Sequence, residues 1–264
     1  MAENPEPNTL VLPGKDFAFE MGLGKSVYPW FDTRACHPGL LEQRKQIAAG
    51  FPARAIFYTP EAEPLLREVY GLIGRPDLPS GREGLEIAAG VWDIDFVVLS
   101  RSNGRQEPVM AAGVICFPSS WRPEDKIGHE MSAIHGPVPT LNDRLGARIA
   151  RFLNLLKPNK TLERFGWGIA ATDEEDLHPS RDLARLTPNT DPGQLYLRWE
   201  HQGFYALSGG VLFMIRILVT PFASLTGPQK GALRHQIQTM PDAIADYKGL
   251  LPAREHLLDV LAPA

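Results

Sequence analysis

Apolar and polar positions follow two rhythms along this chain, and the rhythm switches several times. Gly39 to Ala49 has helical spacing, with Leu40, Leu41, Ile47 and Ala48 on an inner face and the charges of Glu42, Arg44 and Lys45 outside. Thr59-Pro60-Glu61 is a helix start: a capping hydroxyl, a proline in the first turn and an acid at the positive end of the dipole. That helix should reach about Ile73, and the Pro and Gly content of Arg75 to Gly81 makes a loop. Two β-rich runs follow, Asp95 to Ser100 and Val109 to Phe117, around an Asn103-Gly104 pair that favours a hairpin. Ser119 or Ser120 can cap a turn containing Pro123, and a short helix over Glu130 to His135 is ended by Gly136-Pro137-Val138-Pro139. Thr140 then caps a longer amphipathic helix to about Leu156, with Leu141, Leu145, Ile149, Phe152, Leu153 and Leu156 at helical spacing. Three more β-rich runs come next: Arg164 to Ala171, Leu195 to Gln202 and Val211 to Thr220. The first two are separated by a long polar stretch, Thr172 to Gly193, and the last two by a hairpin-like connection, Gly203 to Gly210. Gln229 to Met240 and Ala253 to Leu261 close the chain as helices.

Strands in consecutive pairs with helices inserted between them predict an α+β fold, an antiparallel sheet with helices on one side. The alternation is not that of a parallel-sheet nucleotide binder. Residues 1–16, rich in Pro, Glu and Asn, read as a poorly ordered lead-in, and 17–264 as a single domain. A chain of 264 residues can bury a sizeable core, and its net charge of −4 argues against nucleic acid as a partner. The most apolar stretch, Gly209 to Val219, is too short to span a bilayer and contains Arg216. The N-terminus has no basic region ahead of an apolar run, so the chain reads as soluble and cytoplasmic, with no membrane partner. Its two cysteines, Cys36 and Cys116, build no disulfide framework, zinc site or iron–sulfur cluster by themselves. A redox metal would have to be held in another way.

No GxSxG, HExxH or GxxxxGK[ST] motif is present, and Gly22-Leu23-Gly24-Lys25 is only a fragment of a glycine loop. Seven histidines are the obvious candidate ligands. His37, His235 and His256 have adequate surface or capping roles. His135 stands apart, because Ile134 and the Gly-Pro-Val-Pro run give it the stiff, apolar setting that an axial haem ligand needs. A helix-end histidine donating to a carbonyl fits the same pattern. In Arg198-Trp199-Glu200-His201-Gln202, strand alternation puts Arg198, Glu200 and Gln202 on one face and Trp199 and His201 on the other. The polar face is either solvated or the wall of a pocket. Arg216 interrupts an apolar run in the same way and could neutralise a carboxylate such as a haem propionate.

Several segments share an order and spacing with a known family. They are CFPSSWRPEDKIG from Cys116, IHGPVP from Ile134, RWEHQ from Arg198 and SGGVLFMIR from Ser208, with MGL, LLEQRKQI and VWDIDFVVL before them. From about Phe17 to Phe222 the chain resembles the haem-binding α subunit of the haem-dependent oxidative N-demethylases. The resemblance implies a PAS-like fold whose antiparallel sheet and flanking helices form a pocket for haem b. It puts the iron ligand at His135, and cofactor contacts at His129, Trp167, Arg198 and Arg216. The family's R-x-E-x-Q strand falls on Arg198, Glu200 and Gln202, and Glu200 becomes the candidate catalytic residue, as partner of a protonated amine or proton relay. Two positions depart from the family pattern: Gly166 stands where Asn commonly precedes the tryptophan, and His201 replaces an Arg.

The implied activity is a haem-dependent monooxygenase that takes a small, dimethylamine-like secondary amine to a primary amine and formaldehyde. It would use O2 and electrons from reductase subunits carrying FMN, an iron–sulfur cluster and NADPH. A haem-based gas or redox sensor is the rival class, and the sequence shows no output domain or coiled coil to support it.

Overall fold

The computed structural model describes residues 14–101 and 107–263. Among these, seven strands form one antiparallel sheet: β1 (Gly24–Lys25), β2 (Ile56–Tyr58), β3 (Asp95–Ser100), β4 (Val109–Val114), β5 (Thr161–Ala170), β6 (Tyr196–Leu207) and β7 (Gly210–Pro221). Their spatial order is β1-β5-β6-β7-β3-β4-β2. The helices are α1 (Pro38–Gly50), α2 (Pro52–Ala55), α3 (Glu63–Leu72), α4 (Gly81–Ala89), α5 (Met131–His135), α6 (Ala147–Leu155), α7 (Gly227–Thr239), α8 (Asp242–Tyr247) and α9 (Arg254–Val260). The α+β class stands. None of the described helices is long and apolar enough to cross a membrane.

Helices cover both faces of the sheet, not one. On the first face, α1, α3 and α4 pack on Phe96, Val98, Leu212 and Met214, while α7, α8 and α9 pack on Ile169, Leu197 and Trp199. On the second face, Leu145 and the Ile149 and Leu153 side chains of α6 pack on Val97, Leu99, Phe204 and Val211. The reason is in the strands. From Asp95 to Leu99, β3 is buried at every position, so neither face can be left to water.

Other boundaries move for local reasons. The connection expected over Gly203 to Gly210 is strand as far as Leu207, leaving a turn at Ser208-Gly209. Gly203 is there for close packing: a Cβ on it would lie 2.7 Å from the Trp30 ring. Thr140 does not cap the long helix. It takes φ +61°, and a π-helical turn, Asn142–Gly146, leads into α6. β2, α4 and α8 were not expected, being short or lying in stretches punctuated by Gly and Pro. Thr226 and Gln229 form a reciprocal capping box that starts α7. The Asn103-Gly104 turn and most of the proposed lead-in lie outside the described residues.

Arg44 was expected to face outward with Glu42 and Lys45, yet it is fully buried. Its Nη1 donates to Asp95 Oδ1, Nη2 to Ile94 O (2.8 Å) and Nε to Ala89 O (3.3 Å). Asp95 also accepts from the backbone N–H groups of Cys116 and Phe117, both at 2.8 Å. One ion pair thus ties α1, the end of α4, β3 and the exit of β4 together. Removing one member of a buried pair strands the other charge in the core, at about 3–5 kcal/mol. Arg44→Met should lower stability by that amount, read as the shift in urea midpoint at constant m-value. A loss of under about 1 kcal/mol would show that the pair does not hold these elements.

Candidate functional site

Strand register sorts the candidate residues. Along β6, Arg198, Glu200 and Gln202 point to the α5–α6 face, while Trp199, His201 and Gly203 point to the other. Opposite the polar row on β5 lie Gly168, Gly166 and Arg164, and on β7 Val219, Ile217 and Ile215. The two glycines leave the floor low. A Cβ at Gly168 would meet nothing within 4 Å, and one at Gly166 nothing nearer than 3.7 Å. Glycine inside a strand often marks such close approach by a ligand.

The polar row is wired from Arg164 through Gln202 to Glu200. Arg164 Nε donates to Gln202 Oε1 (2.6 Å), and Gln202 Nε2 donates to Glu200 Oε2 (2.7 Å). The Arg164 guanidinium sits 6.0 Å from the Phe204 ring centre, and burial, opposed by Glu200, holds its pKa below the ordinary value. Lys248, just after α8, donates to Trp167 O (2.6 Å) at the free edge of β5. Burial lowers the ammonium's pKa, with Glu200 opposing. Burial, then Glu200, raises the Tyr247 hydroxyl. Glu200 is thus within electrostatic reach of Arg164 and Arg198 on its own face and of Lys248 at the sheet edge.

His135 ends α5 and is half-buried. Met131 and Ile134 of the same helix pack into the α6-side core, Asn142 Nδ2 donates to Ser132 O (2.8 Å), and the Val138 N–H donates to His135 O (2.9 Å). These contacts fix the turn that carries the ring. Burial pushes the imidazole down to about 4; Arg164 and, more weakly, Lys126 add to this, while Glu107 opposes it. The ring is neutral at pH 7 and has no side-chain hydrogen bond among the described residues. A neutral imidazole nitrogen is what an axial haem position requires. No group of three or more His, Cys, Asp or Glu among the described residues is placed to hold a bare ion. A porphyrin iron needs only one such ligand, and a low glycine floor beside a desolvated arginine suits a flat dianion.

The other expected contacts do not gather at this place. Arg198 is buried on the same face, but its guanidinium is engaged by Ser119 Oγ (3.0 Å) and the carbonyls of Phe117 (2.9 Å), Glu174 (3.3 Å) and Glu175 (2.6 Å). It staples the loop before β6 to the sheet, and burial lowers its pKa to about 10. Trp167 and Arg216 project from the opposite face, because each is in register with a first-face residue of β6, Trp199 or His201. Lys248 lies 5.1 Å from the Trp167 ring centre, and Arg216 lies 4.1 Å from that of Tyr28. His129 is exposed, held through its backbone to Met110 and Lys126. His201 is fully buried on the first face, stacked on Phe165 at 4.4 Å between ring centres, with Nε2 2.8 Å from Glu163 Oε2. His201 is thus part of the packing under the sheet. A cavity of about 550 Å³ opens on the α6 side between Met21, Leu23, Phe152 and Leu162, and one of about 190 Å³ at the free edge of β7; His135 lines neither.

Arg164 and Lys248 are the functional candidates that the sequence reading missed. Arg164 had a signal, since it lies two residues before Gly166 on a strand with the same alternation. Lys248 had none, because it reaches Glu200's surroundings from the far end of the chain. The model of a family described as haem-dependent oxidative N-demethylase, alpha subunit-like, matches residues 64–258.

Burial of His135 has a consequence for acid stability. Between about pH 6.5 and pH 4 the unfolded chain binds a proton on this imidazole that the folded chain refuses. Stability therefore falls as pH drops through that window and is unaffected above it. Haem-free His135→Gln protein should lose less stability between pH 7 and pH 5 than the parent, by urea unfolding at each pH. Equal losses would place the ring in water.

Proposed function

Since the chain belongs to the haem-dependent oxidative N-demethylase, alpha subunit-like family, we propose that it binds a b-type haem on the α5–α6 face of its sheet, in a PAS-like pocket, and demethylates a small secondary amine. The observation that carries this reading is the neutral, desolvated His135 on the same face as the Arg164–Gln202–Glu200 row and the open strand glycines. His135 would supply a nitrogen to the iron, Gly166 and Gly168 would leave room beside it, and Arg164 would offer a cation to a propionate. Arg164 takes the part expected of Arg198 and Arg216, since Arg198 already has four partners and Arg216 lies across the sheet.

When bound, the haem supplies O2 activation, and electrons reach it from partner subunits carrying FMN, an iron–sulfur cluster and NADPH. The chain's own residues bind and orient. Glu200, fixed by Gln202, accepts the substrate ammonium through a charge-assisted hydrogen bond. That holds the N-methyl group in one position and keeps the proton on a defined atom until the aldehyde and primary amine separate. The apolar Ile215, Ile217 and Val219 side chains, beside the row on β7, exclude water from the methyl.

Purified protein reconstituted with haem should show a Soret band that shifts on reduction, and His135→Ala should lose or markedly shift it. An unchanged spectrum in His135→Ala would refute the ligand assignment. Glu200→Gln should bind haem normally and raise KM for dimethylamine about tenfold or more, read as formaldehyde release with a reductase; an unchanged KM would remove Glu200 from the amine site.

A further inference from the structure

The outer side of α6 carries an arrangement that the haem reading does not use. Arg144, Arg148 and Arg151 follow one another at helical spacings of four and three and share one stripe, which continues to Leu155. All three arginines are exposed, and Leu155 is 63% exposed. Lys157 and Lys160, also exposed, extend the stripe into the loop before β5. None of these five cations has an ion-pair or hydrogen-bond partner among the described residues. Like charges four apart weaken a helix by about 0.2–0.5 kcal/mol, and here nothing within the fold offsets that cost. The chain as a whole is acidic, at −4. Beneath the stripe lies the cavity of about 550 Å³, whose walls are Met21, Leu23, Phe152, Leu155, Leu156 and Leu162 and whose rim is basic. An apolar centre inside a charged rim is the anatomy of a protein interface, whereas a nucleic-acid surface has no need of an apolar cleft.

Position narrows the occupant. The inner side of α6 packs through Ile149 and Leu153 into the core that holds Met131 and Ile134 of the His135 helix. A protein seated on the outer stripe is separated from that core by roughly one helix diameter, about 10 Å. Monooxygenation consumes two electrons per turnover, and two cysteines are too few for a four-thiolate cluster in this chain. Electron-transfer encounters use small surfaces and rely on charge for speed and orientation.

We propose that the α6 stripe and its cleft are the docking surface for an acidic iron–sulfur electron-donor protein, whose carboxylates meet Arg148, Arg151, Lys157 and Lys160 around an apolar side chain inserted beside Leu155. This rests on the haem oxygenase reading for the partner's role, but its binding readout does not require haem.

The test uses the full chain and a purified acidic plant-type [2Fe–2S] ferredoxin as probe, with Kd measured by calorimetry at low and moderate salt. Binding should weaken steeply as salt rises. The Arg148→Glu/Arg151→Glu variant should raise Kd at least tenfold, and Leu155→Asp should raise it as well. Arg185→Glu, on the exposed loop before β6, should leave it unchanged. In haem-loaded protein the double variant should keep the parental spectrum while reduction by dithionite-reduced ferredoxin slows by a similar factor. A Kd insensitive to salt and to the double reversal would overturn the proposal. So would tighter binding of phosphatidylserine vesicles or a single-stranded oligonucleotide than of ferredoxin at the same ionic strength. Absence of a haem spectrum together with charge-dependent ferredoxin binding would overturn the haem reading alone.

Discussion

Strand β6 pairs along its length with β7 and for most of it with β5, and both of its faces are covered. A strand in that position has no freedom in where its side chains go: successive residues must point to opposite sides. Arg198, Glu200 and Gln202 therefore share a side, and Trp199, His201 and Gly203 share the other. A slip of one residue would put the glutamate among the aromatic rings and the tryptophan among the arginines. The partition of the sheet into a polar face and a sealed aromatic face follows from this one register.

The sealed face stabilises the open one. Trp30 packs against Gly203 and the buried His201, while its Nε1 donates to Ser26 Oγ (2.8 Å), which in turn bonds the Glu163 carboxylate that meets His201. This network fixes β5 and β6 against each other from beneath. The Arg44–Asp95 pair does the same for α1, β3 and the exit of β4, and Arg198 fastens the Glu174–Glu175 loop beside the polar row. Three arginines of similar appearance in the chain thus have different work. Arg44 and Arg198 are internal braces, each guanidinium nitrogen donating to a carbonyl, carboxylate or hydroxyl oxygen. Arg164, with a single side-chain partner in Gln202, keeps capacity for an anionic ligand.

Electrostatics and burial reinforce this division. Desolvation holds His135 neutral and lowers the proton affinity of Arg164 and Lys248, while Glu200 opposes the change in the two cations. A row of mutually dependent charges in a partly buried setting gains strength from the low local dielectric and is correspondingly sensitive to loss of any member. The α6 stripe is the reverse case: exposed cations in water, weak one by one, with a collective field able to steer an acidic partner.

Local chemistry in the sequence was enough to determine the α+β class, most of the long strands and helices, the facing of Arg198, Glu200 and Gln202, and the resemblance that the family match bears out. Those properties follow from periodicities of two and 3.6 residues and from motifs read in order. What each arginine does, and whether a histidine meets an arginine or an aromatic ring, depended on pairing between segments far apart in the chain. The burial of Arg44, the covering of both sheet faces, the placing of Trp167 and Arg216 across the sheet from Glu200, and the approach of Lys248 all arise there. Alternation along one strand is local, whereas register between strands and the docking of helices on them exist only once the chain has folded.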